Sequence, residues 1–160
     1  MSDKVKPIPD DYTGAVPYIC VNDGQGALEF YKTAFGAIET QRFAAPGGKI
    51  GHAEFKIGHA AIMLADEFPE EGFRSPLTLG GTPIAIHIYV EDVDSVAAQA
   101  VAAGAKLIKE VSDKFYGDRN CSLEDPYGHR WFVSTHKEDV SSEELQKRAA
   151  AMHSQSGNSE

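Results

Sequence analysis

The groups best suited to chemistry sit on strand-like runs. His87 and Tyr89 alternate on one face of residues 84–90 (IAIHIYV), and Tyr18 and Cys20 share a face of residues 16–21 (VPYICV). An imidazole titrates near neutrality and serves as acid, base or metal ligand. A thiol beside a phenol is a nucleophile if its pKa is lowered, and otherwise a small apolar residue. His52 and Glu54 share a strand face at period two, and with His87 they would give a His-His-Glu set of the kind that suits several transition metals. Arg119, in the aromatic and ionic segment 115–119, can grip a carboxylate or phosphate with two parallel N–H bonds, or pair with Asp118 or Glu124 instead.

Other chemistries lack their spacing. The six histidines (52, 59, 87, 129, 136 and 153) form no H-E-x-x-H pattern, and His59 and His129 each follow a glycine that reads as a turn. Ser122 and Ser134 have no G-x-S-x-G elbow. Gly24-Gln25-Gly26 opens a helix but lacks both the dinucleotide fingerprint and a P-loop lysine. The bland alternatives are a cavity or core histidine for His87, an exposed or hydrogen-bonded strand residue for His52 and a buried thiol for Cys20.

These side chains need a scaffold, and the scaffold is written twice. Residues 16–21 read as a strand, stopped by Asn22-Asp23-Gly24; Ala27, Leu28, Tyr31, Ala34 and Phe35 then recur at helical spacing before Gly36. Strands follow over 41–45, 50–57 and 60–65, giving β-α-β-β-β. Residues 68–82, rich in proline and glycine, read as a long connection. A second strand at 84–90, an Asp92 or Asp94 cap, a helix and Gly104 restart the pattern, at an offset of 69 that places Tyr18 opposite His87. Pairing Gly58-His59 with Gly128-His129 instead uses an offset of 70, and sets Ile62 opposite Phe132. Ser141 and Glu144 then form a capping box for a last helix.

The expected organisation is therefore α+β: a flexible arm over 1–13 and a domain over 14–140, with modules at about 15–66 and 84–136. A helix over 141–152 and a flexible tail over 153–160 complete it. The 160 residues carry a formal charge of −9, which disfavours nucleic acid. Two distant cysteines suit the cytoplasm, and the absence of a long apolar run or an N-terminal apolar core disfavours membrane insertion and secretion.

The doubled β-α-β-β-β pattern, IHIYVEDVDSVAAQAVAAGAKLI and the closing EDPYGHRWFVSTHKEDVS resemble the vicinal oxygen chelate superfamily of glyoxalases, bleomycin-resistance proteins and extradiol dioxygenases. FYGDRNCSLEDPYGHRWFVSTHKEDVS and GHAAIMLADEFPE look most like its PhnB-like branch. The resemblance implies an incomplete barrel around a cavity, commonly in a homodimer, with a divalent metal held by His, Gln or Glu. Its ligand slots fall here on Tyr18, Ile62, His87 and Phe132, of which only His87 is a good donor. The expectation is a binding protein without the usual metal or any cofactor, its cavity taking a small aromatic or anionic molecule on His87, Tyr18, Tyr89, Cys20, Arg119 and Phe132. The alternative is a metal-dependent lyase or dioxygenase with a displaced site at His52, Glu54 and His87. A third reading, a structural or regulatory dimer whose last helix docks on a partner, has no feature raising it above these two.

Overall fold

A computed structural model describes residues 4–156, in two compact units. The first comprises the chain up to Pro83 together with Pro126–His129. Its sheet holds β1 (Tyr18–Val21), β2 (Ile38–Ala44), β3 (Ile50–Ile57) and β4 (Ala60–Asp66) in the order β1-β4-β3-β2, with β1 and β4 parallel. Helix α1 (Gly24–Phe35) starts at Asp23, whose carboxylate accepts from Gly26 N–H at 3.0 Å, and ends at Gly36 in the left-handed conformation (φ 68°). The helix packs on one face of the sheet. Ala53, Phe55, Ile62 and Leu64 alternate onto that face and are buried, with Phe55 stacked on Tyr31 at 5.2 Å.

Asp66, at the end of β4, is 5% exposed and joins two elements: one oxygen accepts from Gly24 N–H at 2.8 Å, the other from Ile50 N–H at 2.6 Å. It thus satisfies an orphan amide of the helix terminus and fixes where β3 begins. Pro126–His129 complete this unit. Tyr127 sets its ring edge against Phe30 and Tyr31, and His129 Nε2–H donates to the Cys20 carbonyl at 2.7 Å. Gly128 (φ 87°) lies against the short helix α2 (Pro76–Leu79), where a Cβ would come within 2.8 Å of Pro76.

The second unit repeats the plan: β5 (Ala85–Tyr89), α3 (Val93–Ala103), β6 (Lys106–Asp113), β7 (Asp118–Glu124) and β8 (Arg130–His136), in the order β5-β8-β7-β6. Asp92 is the cap. Trp131 and Val133 are fully buried on the helix-packed face, and Trp131 Nε1–H donates to Asp125 at 2.8 Å. Helix α4 (Ser142–Ser156) has no fully buried residue; Arg148 holds it through Glu138 and the Phe115 carbonyl, and also pairs with Glu144 within the helix.

Several expectations need correction. β2 begins at Ile38, because Ile38 pairs Lys56 and Glu39 pairs Phe55. α4 continues to Ser156, its Ser154 and Ser156 hydroxyls bonding the carbonyls of Ala150 and Met152; of the expected tail, residues 157–160 lie outside those described. The arm is tied down at its end, with Tyr12 O–H bonded to Glu54 and Asp11 paired with Lys56 at 2.8 Å, while residues 1–3 lie outside those described. The offset of 70 fails after the third strand. Tyr18 pairs Met63 and His87 pairs Phe132, so the counterpart of Phe132 is Met63 and that of Ile62 is Trp131. The glycines misalign because Gly58-His59 is a two-residue hairpin turn, whereas the β7–β8 connection spans residues 125–129.

Replacing Asp66 removes two charge-assisted bonds at once, so Asp66→Ala is expected to lower stability by about 2–4 kcal/mol in urea unfolding. Asp23→Ala removes one exposed cap, at about 1 kcal/mol.

Candidate functional site

The face of each sheet turned away from its helix carries the reactive groups. On the second unit the register sets His87, Phe132, Ser122 and Lys109 in one row, and Tyr89, Ser134, Asn120 and Ser112 in the next. A hollow of ≈ 290 Å³ opens on this face, lined by His87, Lys109, Lys114, Tyr116, Asn120, Cys121, Ser122 and Phe132. No carboxylate lines it. Lys114 Nζ donates to Ser112 Oγ at 2.9 Å and Asn120 Nδ2 to Tyr116 Oη at 2.6 Å. Ser122 is 2% exposed, and its hydroxyl has no hydrogen-bond partner among the described residues. A buried hydroxyl without a partner costs free energy, which makes it a group ready to bond something that enters.

His87 is oriented from two sides. A 2.7 Å bond joins its Nε2 to Ser134 Oγ, Tyr89 stacks on its ring at 4.9 Å and Phe132 meets it edge-on at 6.1 Å. Tyr89 is held in turn by Asp118, 2.8 Å from its hydroxyl, and the other Asp118 oxygen meets His136 Nδ1 at 2.7 Å. Burial alone would raise the Asp118 carboxyl, but the bonds from His136 and Tyr89 outweigh it and hold the pKa down. The Asp118 and Asp139 carboxylates raise His136.

On the first unit, Tyr18 O–H meets His52 Nδ1 at 2.8 Å and His52 Nε2 meets Glu54 Oε1 at 2.9 Å. Cys20 lies one row along from Tyr18 and is buried. Its thiol is pushed up to about 12, by burial first and then by Glu67 and Asp66, which removes it as a nucleophile. Arg119 takes the ion-pair alternative, with different partners from those expected: Asp94 at 2.8 Å and Asp113 at 3.2 Å. It lies beside the first turn of α3, held by Asp94, and is not among the residues lining the hollow.

The donors do not fit a divalent metal. In the corrected register the slot on β4 is Met63 and that on β8 is Phe132, a thioether and a hydrocarbon where oxygen or nitrogen is required. Among the described residues no group of three His, Cys, Asp or Glu side chains that could hold a metal ion is found. Sequence reading missed Lys109, Lys114 and Asn120. Their place in the hollow depends on how β6 and β7 pair, and the irregular β6 register hides it.

A sequence profile of the Glyoxalase/Bleomycin resistance protein/Dioxygenase superfamily matches residues 11–133. An uncharacterized protein of Mycobacterium bovis is 39% identical over 142 residues, covering 87% of this chain and 91% of its own. Among solved structures, TioX from Micromonospora sp. ML1 is 25% identical with a TM-score of 0.61, over 81% of this chain and 100% of its own. The fosfomycin resistance protein FosX from Listeria monocytogenes shares the fold at 16% identity and a TM-score of 0.60, over 84% and 98%.

The Asp118–His136 pair sets a pH window. A raised His136 pKa adds stability below the ordinary histidine value that is lost as pH rises through the folded one. The depressed Asp118 pKa adds stability above the ordinary aspartate value that is lost as pH falls through the folded one. In an NMR titration the His136 midpoint is expected above about 6.5, and Asp118→Asn should lower it; an unchanged midpoint in that variant would remove Asp118 as the cause.

Proposed function

The chain belongs to the Glyoxalase/Bleomycin resistance protein/Dioxygenase superfamily, and from that premise we propose that it binds a small planar anion in the hollow of its second unit, without the superfamily's usual metal. The observation that carries this reading is the lining itself: two ammonium groups, an imidazole, an amide and an unpartnered hydroxyl converge with no carboxylate among them, in a chain of net charge −9. Among the described residues neither Lys109 nor Lys114 is paired with an acid, although eight lysine or arginine pairs with carboxylates form elsewhere among them. An anion entering here gains charge-assisted bonds and supplies the acceptor that Ser122 lacks.

Shape supports a planar body. His87, Tyr89 and Phe132 give a ring face and ring edges to stack on, and Tyr89 and Phe132 are 61% and 41% exposed. With Nε2 bonded to Ser134, His87 offers Nδ1 to the ligand. The metal-dependent lyase or dioxygenase reading finds no support in Met63 and Phe132 at the ligand slots.

Part of the same proposal is a cytoplasmic homodimer of the PhnB-like branch. Two buried free thiols support the compartment, the exposed Ile38, Leu77, Leu79 and Ile84 favour a second copy, and the FYGDRNCSLEDPYGHRW segment supports the branch. Sedimentation should give twice 17.3 kDa.

Calorimetric titration of EDTA-treated protein with benzoate, phenylphosphonate and neutral benzamide tests the binding. The two anions should bind at least about tenfold more tightly than benzamide, and Lys114→Met should weaken them by about 10-fold, in line with losing one charged hydrogen bond. Arg119→Met should leave affinity unchanged. Benzamide binding as well as benzoate, or indifference to both Lys109→Met and Lys114→Met, would refute the assignment.

A further inference from the structure

The open face of the first unit carries a second arrangement, which the anion-binding reading does not use. Glu54 is 6% exposed, yet both of its oxygens are occupied, Oε1 by His52 Nε2 at 2.9 Å and Oε2 by the Tyr12 hydroxyl. A carboxylate only accepts, so Nε2 carries a proton, and a neutral ring then leaves Nδ1 as an acceptor. Nδ1 faces the Tyr18 hydroxyl at 2.8 Å. The buried acid fixes the tautomer, the imidazole points its lone pair at a hydroxyl, and that hydroxyl belongs to a side chain 47% exposed. This is the order of parts from which an activated hydroxyl is built: acid, histidine, hydroxyl.

We propose that Tyr18, His52 and Glu54 form a metal-independent proton-transfer site that deprotonates planar carbon acids. In the step, the Tyr18 oxygen takes a proton from a substrate carbon while its own proton passes to His52 Nδ1. The electron pair of the broken C–H bond stays on the substrate, as an enolate or as the new bond of an elimination. The resulting imidazolium lies against the Glu54 carboxylate, so the charge created on the protein is paired as it forms.

Two further features suit this role. Phe73 meets Tyr18 edge-on at 5.7 Å and Phe43 stacks on His52 at 6.3 Å, placing rings on both sides of the relay for a flat substrate. The bonds from His52 and Tyr12 also hold the Glu54 carboxyl below its usual range, keeping it charged, while burial raises Tyr18 and keeps it protonated until the relay acts. On the second unit, by contrast, His87 Nε2 is bonded to Ser134, a neutral hydroxyl that cannot pair an imidazolium.

The probe is 5-nitrobenzisoxazole, a planar carbon acid whose C–H deprotonation opens the ring to a coloured phenolate with no other reactant. With EDTA present, the full chain should catalyse this opening, and Tyr18→Phe and His52→Ala should each lower kcat/KM by roughly 10²-fold, the usual scale of a positioned base. Glu54→Gln should lose less, and imidazole in solution should restore His52→Ala. The ¹⁵N spectrum of the folded wild type provides a test free of substitutions, and should show protonated Nε2 and unprotonated Nδ1. Rates in Tyr18→Phe and His52→Ala within twofold of wild type, an activity that EDTA removes, or a ring protonated on Nδ1 alone would each overturn the proposal.

Discussion

Each sheet has one helix to cover it, and that single constraint organises the molecule. Side chains alternate strictly along a strand, so covering one face with α1 or α3 leaves the other face with every second residue. The covered faces take Phe55, Ile62 and Leu64 in one unit and Trp131, Val133 and Leu123 in the other, all nearly inaccessible. The uncovered faces receive Tyr18, His52 and Glu54, and His87, Phe132 and Ser122. A shift of one residue in β4 or β8 would exchange these sets, which is why Asp66, fixing β3 and α1 together, matters beyond its two hydrogen bonds.

The two uncovered faces have diverged from one plan. Tyr18 and His87 are equivalent by register, yet the first belongs to a relay ending in a buried acid and the second to a stacked aromatic set beside two ammonium groups. Five acids of the second unit are committed elsewhere: Asp118 to Tyr89 and His136, Asp94 and Asp113 to Arg119, Glu138 and Glu144 to Arg148. What faces the hollow is left with a positive balance although the chain is acidic, and local charge rather than net charge decides what such a hollow attracts. Superfamily membership fixes the scaffold; the side chains on it, with Met63 and Phe132 at the ligand slots, argue for a use other than chelation.

Much of this architecture is legible in the sequence because it rests on local signals. Asp23, Gly36, Asp92 and Gly104 mark two helices, β-rich runs mark the strands, and the repeat shows that the two halves share one pattern. Registers are harder to read, since they depend on turn length and cross-strand pairing. Matching Gly58 to Gly128 by motif joins a two-residue turn to a longer connection, and so sets Ile62 where Met63 belongs. Lys109 and Lys114 escaped notice for the same reason, as did Tyr12, whose bond to Glu54 spans 42 residues of sequence. Arg119 shows the converse: its residue type suggested an anion site, while the fold pairs it with Asp94.

The central claim is that this scaffold binds without a metal. Elemental analysis of purified protein after reloading with iron, manganese, nickel or zinc, read beside thermal unfolding of wild type and His87→Ala, tests it most directly. The account predicts no stoichiometric metal and no shift in Tm, since a metal at 100 times its Kd would add about 2.7 kcal/mol of stability. One ion per chain that raises Tm by several degrees and is lost in His87→Ala would contradict it.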